Sequence, residues 1–149
     1  MGDRQSPQIT GEIDVERPID EVFAFVADLR NQPLYNWRTV RAIKLSAGAV
    51  GRGTQFELTL DDGHRSVTAR AEHCIHERPT GLTSTVVTAT TKRHTVLTLE
   101  SVGTMTQLRW TTRVEFRGIA RLAAPFTVML LRRQEWESWA RLKAVLEHD

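Results

Sequence analysis

Apolar and polar residues alternate along much of this chain, with the period of two that is typical of half-buried β-strands. The first such stretch runs from Ile9 to Val15. Later stretches are rich in Thr and Val and are separated by short polar breaks, as in consecutive antiparallel hairpins. They are predicted at residues 40–45, 54–60, 65–75, 82–90, 95–101 and 106–116. The pattern therefore predicts a first strand and, after an interruption, a meander of about six strands.

Two segments change from the strand period to the helical one. Behind Pro18, which suits a first helical turn, apolar residues recur at helical spacing as far as Leu29 and predict a short helix. Residues 31–37 suit a turn or a second short helix. Over residues 126–146 the apolar side chains again fall near one face and predict the longest helix. Pro125 either starts this helix or kinks it.

The order of these elements predicts an α+β fold in which one curved antiparallel sheet wraps around the final helix. Each element has one apolar face, and the two faces can be buried only against each other. The chain has 149 residues, a length that suits one domain with one core. We therefore expect a single domain over residues 9–148, preceded by an extended or disordered N-terminus at residues 1–8.

Charge and cysteine content exclude several classes of protein. Twenty Lys and Arg oppose eighteen Asp and Glu, so the net charge of +2 gives no strong field to attract nucleic acid or an anionic bilayer. Cys74 is the single cysteine, so the chain has no internal disulfide framework and a cytoplasmic location is expected. No signal peptide and no transmembrane tract is evident. We expect no nucleic-acid partner and no membrane insertion, and a homodimer stays an open alternative.

Five short motifs occur in an order that is informative about the fold. They are the opening segment 13–23 (IDVERPIDEVF), Asp28 followed by Trp37, the segment 48–56 (GAVGRGTQF), the segment 77–82 (ERPTGL) and the closing segment 139–147 (WARLKAVLE). Together they resemble the SRPBCC/START-like helix-grip superfamily, which includes START domains, Bet v 1 plant allergens and polyketide cyclase/dehydrase-like proteins. The resemblance covers nearly the whole chain and is specific for fold rather than function.

The resemblance implies an elongated pocket between the concave face of the sheet and the last helix. Met and Trp side chains offer adaptable or broad apolar contact, which suits a hydrophobic ligand. The residues predicted to line the pocket are Trp37, Phe56, Leu58, Leu108, Trp110, Met129, Arg133 and Trp136. Arg133 is the expected partner for a ligand carbonyl or carboxylate, with snorkelling to solvent as the alternative. For the apolar members, core packing is the alternative.

Acid–base chemistry needs a titratable group at a water-poor site. The candidates are Glu72, His73, His76, His94 and Arg133. The phase of the strand at 65–75 stays open at this point, because Val67, Ala69 and Ala71 imply one inward face and Cys74 implies the other. A β-bulge would reconcile the two patterns.

Spacing argues against a metal or phosphate site. On a regular strand Cys74 and His76 share one face and His73 points to the other, so at most two ligands converge, whereas zinc needs three or four. The glycines of residues 48–53 lack the Lys-Ser/Thr ending of a phosphate-binding loop and predict a tight turn with positive φ instead. No metal and no cofactor is predicted.

Three functional hypotheses follow. The first is binding of a hydrophobic small molecule, such as a lipid, polyketide or isoprenoid, in the internal pocket. The second is a polyketide cyclase or dehydratase that uses a pocket His, Glu or Arg as an acid or base. It requires such a group to face the pocket. The third is a protein-interaction or chaperone-cofactor module. Which ligand is bound, and whether it is converted, cannot be decided from the sequence.

Overall fold

A computed structural model describes residues 7–61 and 63–148 and shows one seven-stranded antiparallel sheet. The strands follow the order β1-β7-β6-β5-β4-β3-β2, so the first strand lies beside the last. Their bounds are β1 Gln8–Val15, β2 Thr39–Lys44, β3 Gln55–Asp61, β4 Ser66–Glu77, β5 Gly81–Val87, β6 Thr91–Val102 and β7 Met105–Phe116. The predicted first strand and six-stranded meander are confirmed.

Two α-helices and two 3-10 helices complete the fold. Helix α1 spans Ile19–Ala27 and is followed by a 3-10 helix at Leu29–Leu34. A second 3-10 helix at Gly118–Ala123 leads into α2, which spans Ala124–Glu147. Pro125 lies in the first turn of α2, where its missing N–H would have no partner in any case. Of the two predicted roles for Pro125, the start of the helix is confirmed.

The core lies between the inner face of the curved sheet and α2, which gives the predicted helix-grip architecture. Trp139, Leu142 and Leu146 project from α2 and pack in one cluster with Leu108 and Trp110 of β7. Burying a large apolar side chain contributes roughly 1.5–3 kcal/mol, so this cluster accounts for much of the attachment of α2. A smaller cluster forms beneath β3 and β4. Between the two clusters α2 and the sheet are held apart.

A β-bulge interrupts β4, although Cys74, whose inward phase was the reason to expect one, faces outward. The register against β5 shifts between His73, which pairs with Ser84, and Ile75, which pairs with Thr83. His73 is fully buried, whereas Cys74 and Ile75 are both exposed. The bulge returns His76 to the inner side. The regular-strand interpretation, with Cys74 and His76 on one face, was therefore wrong, because one extra residue reverses the alternation.

The start of β6 differs from the sequence prediction. Residues 91–93 were predicted as a break with a solvated hairpin tip, but β6 begins at Thr91. Lys92 and Arg93 pair with both β5 and β7. The turn is formed instead by Thr88, whose hydroxyl accepts hydrogen bonds from the amides of Thr90 and Thr91. A charged dipeptide was taken for a loop, although its backbone pairs on both sides.

The two ends of the chain bear on the remaining predictions. The extended or disordered N-terminus predicted for residues 1–8 lies mostly outside the described residues. Of its last two members, Pro7 accepts a hydrogen bond from the Val114 amide and Gln8 opens β1. Within residues 7–61 and 63–148, no helix is long and apolar enough to cross a membrane.

Gly11 of β1 allows β1 to approach a tryptophan. It lies opposite Trp110 of β7, and a Cβ atom at position 11 would stand 2.3 Å from Trp110 Cζ2. We expect Gly11→Ala to reduce the free energy of unfolding by about 1–3 kcal/mol, because the indole must leave its place in the core. Urea denaturation measures this loss.

Gly51→Ala is the matched control. A Cβ atom at Gly51 meets no other atom within 4 Å, and the φ angle there is not in the left-handed region. Its free energy of unfolding should stay within about 0.5 kcal/mol of wild type. Equal effects at Gly11 and Gly51 would show that the contact with Trp110 does not limit residue size.

Candidate functional site

A cavity of about 90 Å³ lies between the inner face of the sheet and the middle of α2. One part of its wall is apolar and comes from α1, the segment after it, the strands and α2. These residues are Val26, Leu29, Leu58, Leu60, Leu82, Val86, Leu97 and Leu131. The other part is polar or aromatic. It consists of Gln32, Tyr35, Asn36, Arg38, Thr39, Ser84, Arg93, Thr95, Gln134, Glu135, Ser138 and Trp139.

A row of polar side chains crosses the apolar inner face at the level of the cavity. His73 of β4 pairs with Ser84 of β5, Ser84 with Thr95 of β6, and Thr95 with Thr112 of β7. Because directly paired residues place their side chains on the same face, the four form one line across the sheet. Ser84 and Thr95 line the cavity itself. We call these four residues the polar row.

His73 has one tautomer that satisfies both of its neighbours. Its Nε2 lies 2.6 Å from the Ala27 carbonyl oxygen, which can only accept, so Nε2 carries the proton. Nδ1 then accepts from the Ser84 hydroxyl at 2.8 Å. Burial lowers the pKa of His73, although the hydrogen bond to Ala27 opposes the shift. Ser84 therefore presents only oxygen lone pairs to the cavity.

Glu135 of α2 is bonded to the sheet through both carboxylate oxygens. Arg93 Nη2 donates to Oε2 at 3.1 Å, and the Thr112 hydroxyl donates to Oε1 at 2.9 Å. The side chains of Arg93 and Glu135 are only 22% and 11% exposed. Because the Thr112 hydroxyl donates its proton to Glu135, it accepts a hydrogen bond from the Thr95 hydroxyl at 3.3 Å. Thr95 therefore also turns its lone pairs towards the cavity.

Three buried polar atoms of cavity-lining residues have no hydrogen-bond partner among the described residues. They are Arg93 Nε, Gln134 Oε1 and Trp139 Nε1. A buried donor or acceptor without a partner typically costs about 1–3 kcal/mol. Together with the lone pairs of Ser84 and Thr95, the residues that line the cavity thus hold two donors and three acceptors with spare hydrogen-bonding capacity.

Aromatic rings close one side of the cavity. Tyr35 stacks on Trp139 at 6.1 Å between ring centroids, and Trp139 stacks on Trp110 at 5.2 Å. Burial, with a smaller effect of the Glu135 carboxylate, raises the pKa of Tyr35 far above its ordinary value. The phenol of Tyr35 is therefore neutral at every physiological pH and adds a flat, weakly polar surface.

Of the eight residues predicted to line a pocket, the structure brings Leu58 to the cavity. Phe56, Leu108 and Trp110 also face inward but are packed in the core and are not part of the cavity wall. Phe56 contacts the His73 ring edge-on at 5.4 Å. Trp110 lies behind Trp139. For these three, the packing alternative describes their position.

The structure does not bring the other four predicted residues to the cavity. Trp37, Met129 and Trp136 are 48%, 62% and 45% exposed, and Arg133 is exposed as well. Arg133 lies on the side of α2 away from Glu135 and Ser138, which line the cavity. Trp136 instead packs edge-on against Trp110 at 5.2 Å between ring centroids, outside the cavity wall. A part in ligand contact stays a prediction for all of them.

The titratable candidates also divide into residues that face the core and residues that face the solvent. His73 is buried, His76 packs edge-on against Phe23 at 5.0 Å, and Glu72 is exposed. His94 lies on the outer face, where its Nε2 is 3.4 Å from Glu115 Oε2. The part of the chain that the structure describes contains no group of three or more His, Cys, Asp or Glu that could hold a metal ion.

Sequence reasoning missed most of the polar wall. Gln134, Glu135 and Ser138 interrupt the apolar pattern of α2, and the sequence analysis gave them no part in the pocket. Arg93 was placed in a hairpin tip. The available signal was a helical one, because Leu131, Glu135, Ser138 and Leu142 recur at spacings of three and four and define a face that includes polar residues.

Comparison with known proteins supports the fold and extends it to a family. The family model described as polyketide cyclase/dehydrase and lipid transport matches residues 6–147. None of the curated proteins matches the chain.

Solved structures from different sources share the architecture. A START superfamily protein from Mycobacterium smegmatis has 14% identity and a TM-score of 0.81, with 95% of this chain and 97% of the other covered. The Zhui aromatase/cyclase from Streptomyces sp. R1128 has 13% identity and a TM-score of 0.80, with 95% and 93% covered. Ara h 8.0201 has 14% identity and a TM-score of 0.75, with 96% and 99% covered. At such identities the likeness concerns the fold alone.

Stability should depend on pH through His73. Because its pKa in the folded protein lies below the ordinary value of 6.5, the unfolded chain binds the proton more readily. The stabilisation is present above pH 6.5 and is lost as the pH falls from 6.5 through the lowered pKa. Urea denaturation at about pH 7.5 and about pH 5 measures the loss. Imidazole NMR should show the Nε2–H tautomer at the higher pH.

The variant His73→Gln should show a smaller pH dependence over this range, whereas His148→Gln, changed at an exposed position, should behave as wild type. Asp28 and Glu147 have lowered pKa values too, held down by Arg30 and Lys143, so their losses have the same sign but occur at more acidic pH. An imidazole of His73 that protonates at or above pH 6.5 would contradict the assignment.

Proposed function

Because this chain belongs to the polyketide cyclase/dehydrase and lipid transport family, we propose that it binds a neutral, largely apolar small molecule in the cavity between the sheet and α2. The single observation that carries the proposal is the set of unpartnered polar atoms on residues that line a partly apolar cavity. A ligand with both a hydroxyl and a carbonyl group could satisfy several of them at once.

The apolar part of the wall supports binding of a hydrophobic body. Leu58, Leu82 and Leu97 present branched side chains to the same space, and Tyr35 and Trp139 add stacked rings. Sites of this kind, mainly apolar with a few placed polar groups, are typical of small-molecule pockets. The apolar surface contributes affinity and the polar atoms orient the ligand.

The Arg93–Glu135 ion pair in the wall favours a neutral ligand over an anion beside it. The guanidinium of Arg93 is paired with Glu135, so its charge is already neutralised. A ligand carboxylate placed beside Arg93 would also lie close to the Glu135 carboxylate, and like charges in a buried site repel each other strongly. The Nε–H of Arg93 remains available as a hydrogen-bond donor, which a carbonyl oxygen can use without bringing a charge.

The volume limits what fits without rearrangement. At about 90 Å³ the cavity is smaller than an engineered cavity of about 150 Å³ that holds benzene. Pockets for larger organic ligands measure about 300–1,000 Å³. A multi-ring or chain-like ligand therefore requires side chains of the wall to move.

Binding can be tested with three naphthalene probes that differ only in their polar group. We expect 2-naphthol to bind more tightly than 2-methoxynaphthalene, which lacks a donor, and 2-naphthoate to bind weakest, as measured by fluorescence titration.

Ser138→Phe fills the cavity and should abolish binding, whereas Ala140→Phe adds the same ring to an exposed position of α2 and should not. Glu135→Gln leaves the Arg93 charge unpaired and should raise the affinity for 2-naphthoate about tenfold. Equal affinities for all three probes, or binding unaffected by Ser138→Phe, would overturn the proposal.

A second candidate function is catalysis of an aldol-type cyclisation, favoured by the presence of Glu135 and Arg93 at the cavity. In such a reaction a base removes a proton from a CH₂ group between two carbonyls, the carbanion attacks another carbonyl carbon to form a C–C bond, and the resulting alkoxide takes up the proton. Glu135 could serve as the base, and Arg93 Nε–H could stabilise the enolate oxygen. Both oxygens of Glu135 already accept hydrogen bonds, from Arg93 and Thr112, and a substrate proton would have to compete with these bonds, so this function ranks second.

Mass spectrometry of a stabilised poly-β-ketone incubated with the protein tests catalysis directly. A dehydrated or cyclised product that forms with wild type, and is lost with Glu135→Gln while 2-naphthol still binds, would establish it. If 2-naphthol binds and no substrate is converted, binding alone remains. The Ala140→Phe variant serves as the control for changes in α2 that leave the cavity wall unchanged.

A further inference from the structure

A run of large apolar side chains is exposed in the second 3-10 helix and the first turns of α2. The exposed fractions reach 84% for Ile119 and 83% for Leu122. Further along the run, Phe126, Met129 and Leu130 are 73%, 62% and 56% exposed. Soluble proteins rarely leave so many large apolar side chains together on one segment unless another surface covers them. We call residues 117–133 the docking segment.

The docking segment is also strongly basic. It contains four arginines and no acidic residue. All four are exposed, and none forms an ion pair with any residue that the structure describes: Arg117, Arg121, Arg132 and Arg133. The net charge of the whole chain is only +2, so this local concentration is hidden in the overall composition. The sequence-based expectation that the charge would attract no anionic bilayer considered the total and missed the segment.

The first turn of α2 adds to the positive character of the segment. It contains no acidic residue, and no side chain caps the amide groups at its N-terminus. The positive end of the dipole of this 24-residue helix is therefore not offset by a nearby carboxylate. Its contribution has the same sign as that of the four arginines.

We propose that the docking segment attaches the protein to the surface of an anionic lipid bilayer. Aliphatic and aromatic side chains would enter the boundary between head groups and acyl chains, and the arginines would contact lipid phosphates, with their long stems covering further apolar surface. Each basic residue near an anionic membrane strengthens attachment several-fold. The segment lies on the membrane and does not span it.

A second copy of the chain fits the same surface less well. A symmetric dimer would bring the docking segment of one protomer against that of the other. The arginines of both would then face each other without an acidic residue of the segment to balance them, whereas an anionic bilayer supplies the missing negative charge.

The docking segment adjoins the cavity wall, so attachment would bring the cavity close to the membrane. Helix α2 continues from Leu130, at the end of the exposed run, to Leu131, Gln134 and Glu135 in the cavity wall. Attachment would therefore place one end of the cavity next to the lipid phase. The attachment itself does not depend on the identity of any ligand in the cavity.

Vesicle flotation tests the attachment. The protein is mixed with phosphatidylcholine vesicles, with or without about one third phosphatidylglycerol, at low and high salt. One variant removes apolar side chains and the other removes charge: Ile119→Ser/Leu122→Ser/Phe126→Ser and Arg117→Gln/Arg121→Gln/Arg132→Gln/Arg133→Gln. Matched controls change the same number of exposed residues elsewhere: Leu34→Ser/Val96→Ser/Val102→Ser and Arg41→Gln/Arg52→Gln/Arg70→Gln/Arg113→Gln. All changes are at exposed positions, and an unchanged Tm verifies that each variant is folded.

Wild type and both control variants should float with the anionic vesicles at low salt and much less with the neutral ones. The triple apolar variant and the quadruple arginine variant should each bind at least about tenfold more weakly. High salt should weaken binding of wild type more than binding of the quadruple arginine variant. Absence of flotation, equal binding to both lipids, or a dimer that dissociates on Ile119→Ser/Leu122→Ser/Phe126→Ser would overturn the proposal. The last result would assign the surface to a second copy of the chain.

Discussion

The Glu135 carboxylate joins the long helix to two neighbouring strands at once, through Arg93 of β6 and Thr112 of β7. A carboxylate that is 11% exposed has lost most of its hydration and is stable there only because both oxygens are bonded. These bonds set the rotation of α2 about its own axis. Leu131, Ser138 and Trp139 share the inner face with Glu135, while Arg133, on the opposite side of the helix, is turned outward. The rotation of α2 therefore decides which of its residues form the cavity wall.

Much of the fold could be predicted because its signals are local. Alternation of apolar and polar residues marks the strands, and the helical period together with Pro125 marks the start of α2. The bulge in β4 was expected for the wrong reason, because Cys74 was taken to face inward, whereas it is exposed and the register shifts only after His73. The start of β6 was lost because the prediction used the charge of Lys92 and Arg93, whereas strand pairing is made by backbone groups that carry no sequence signal.

The candidate site was much harder to predict, because its residues are set by contacts between distant segments. Glu135 is buried owing to Arg93, which lies 42 positions earlier in the chain, and either residue alone reads as a solvated surface charge. The Trp and Met side chains of α2 were taken as the pocket face because apolar residues are usually buried. In this helix the rule fails at Phe126, Met129 and Trp136, which are exposed, and holds at Trp139 and Leu142, which are buried.

The polar row has a consequence for how the strands find their partners during folding. In a sheet whose inner face is wholly apolar, a shift of two residues along a strand keeps apolar side chains inside and costs little. With His73, Ser84, Thr95 and Thr112 in one line, such a shift would leave hydroxyl groups and an imidazole stranded in the core without partners. The polar row thus helps to fix the register of four strands, because it penalises slipped pairings that hydrophobicity alone would tolerate.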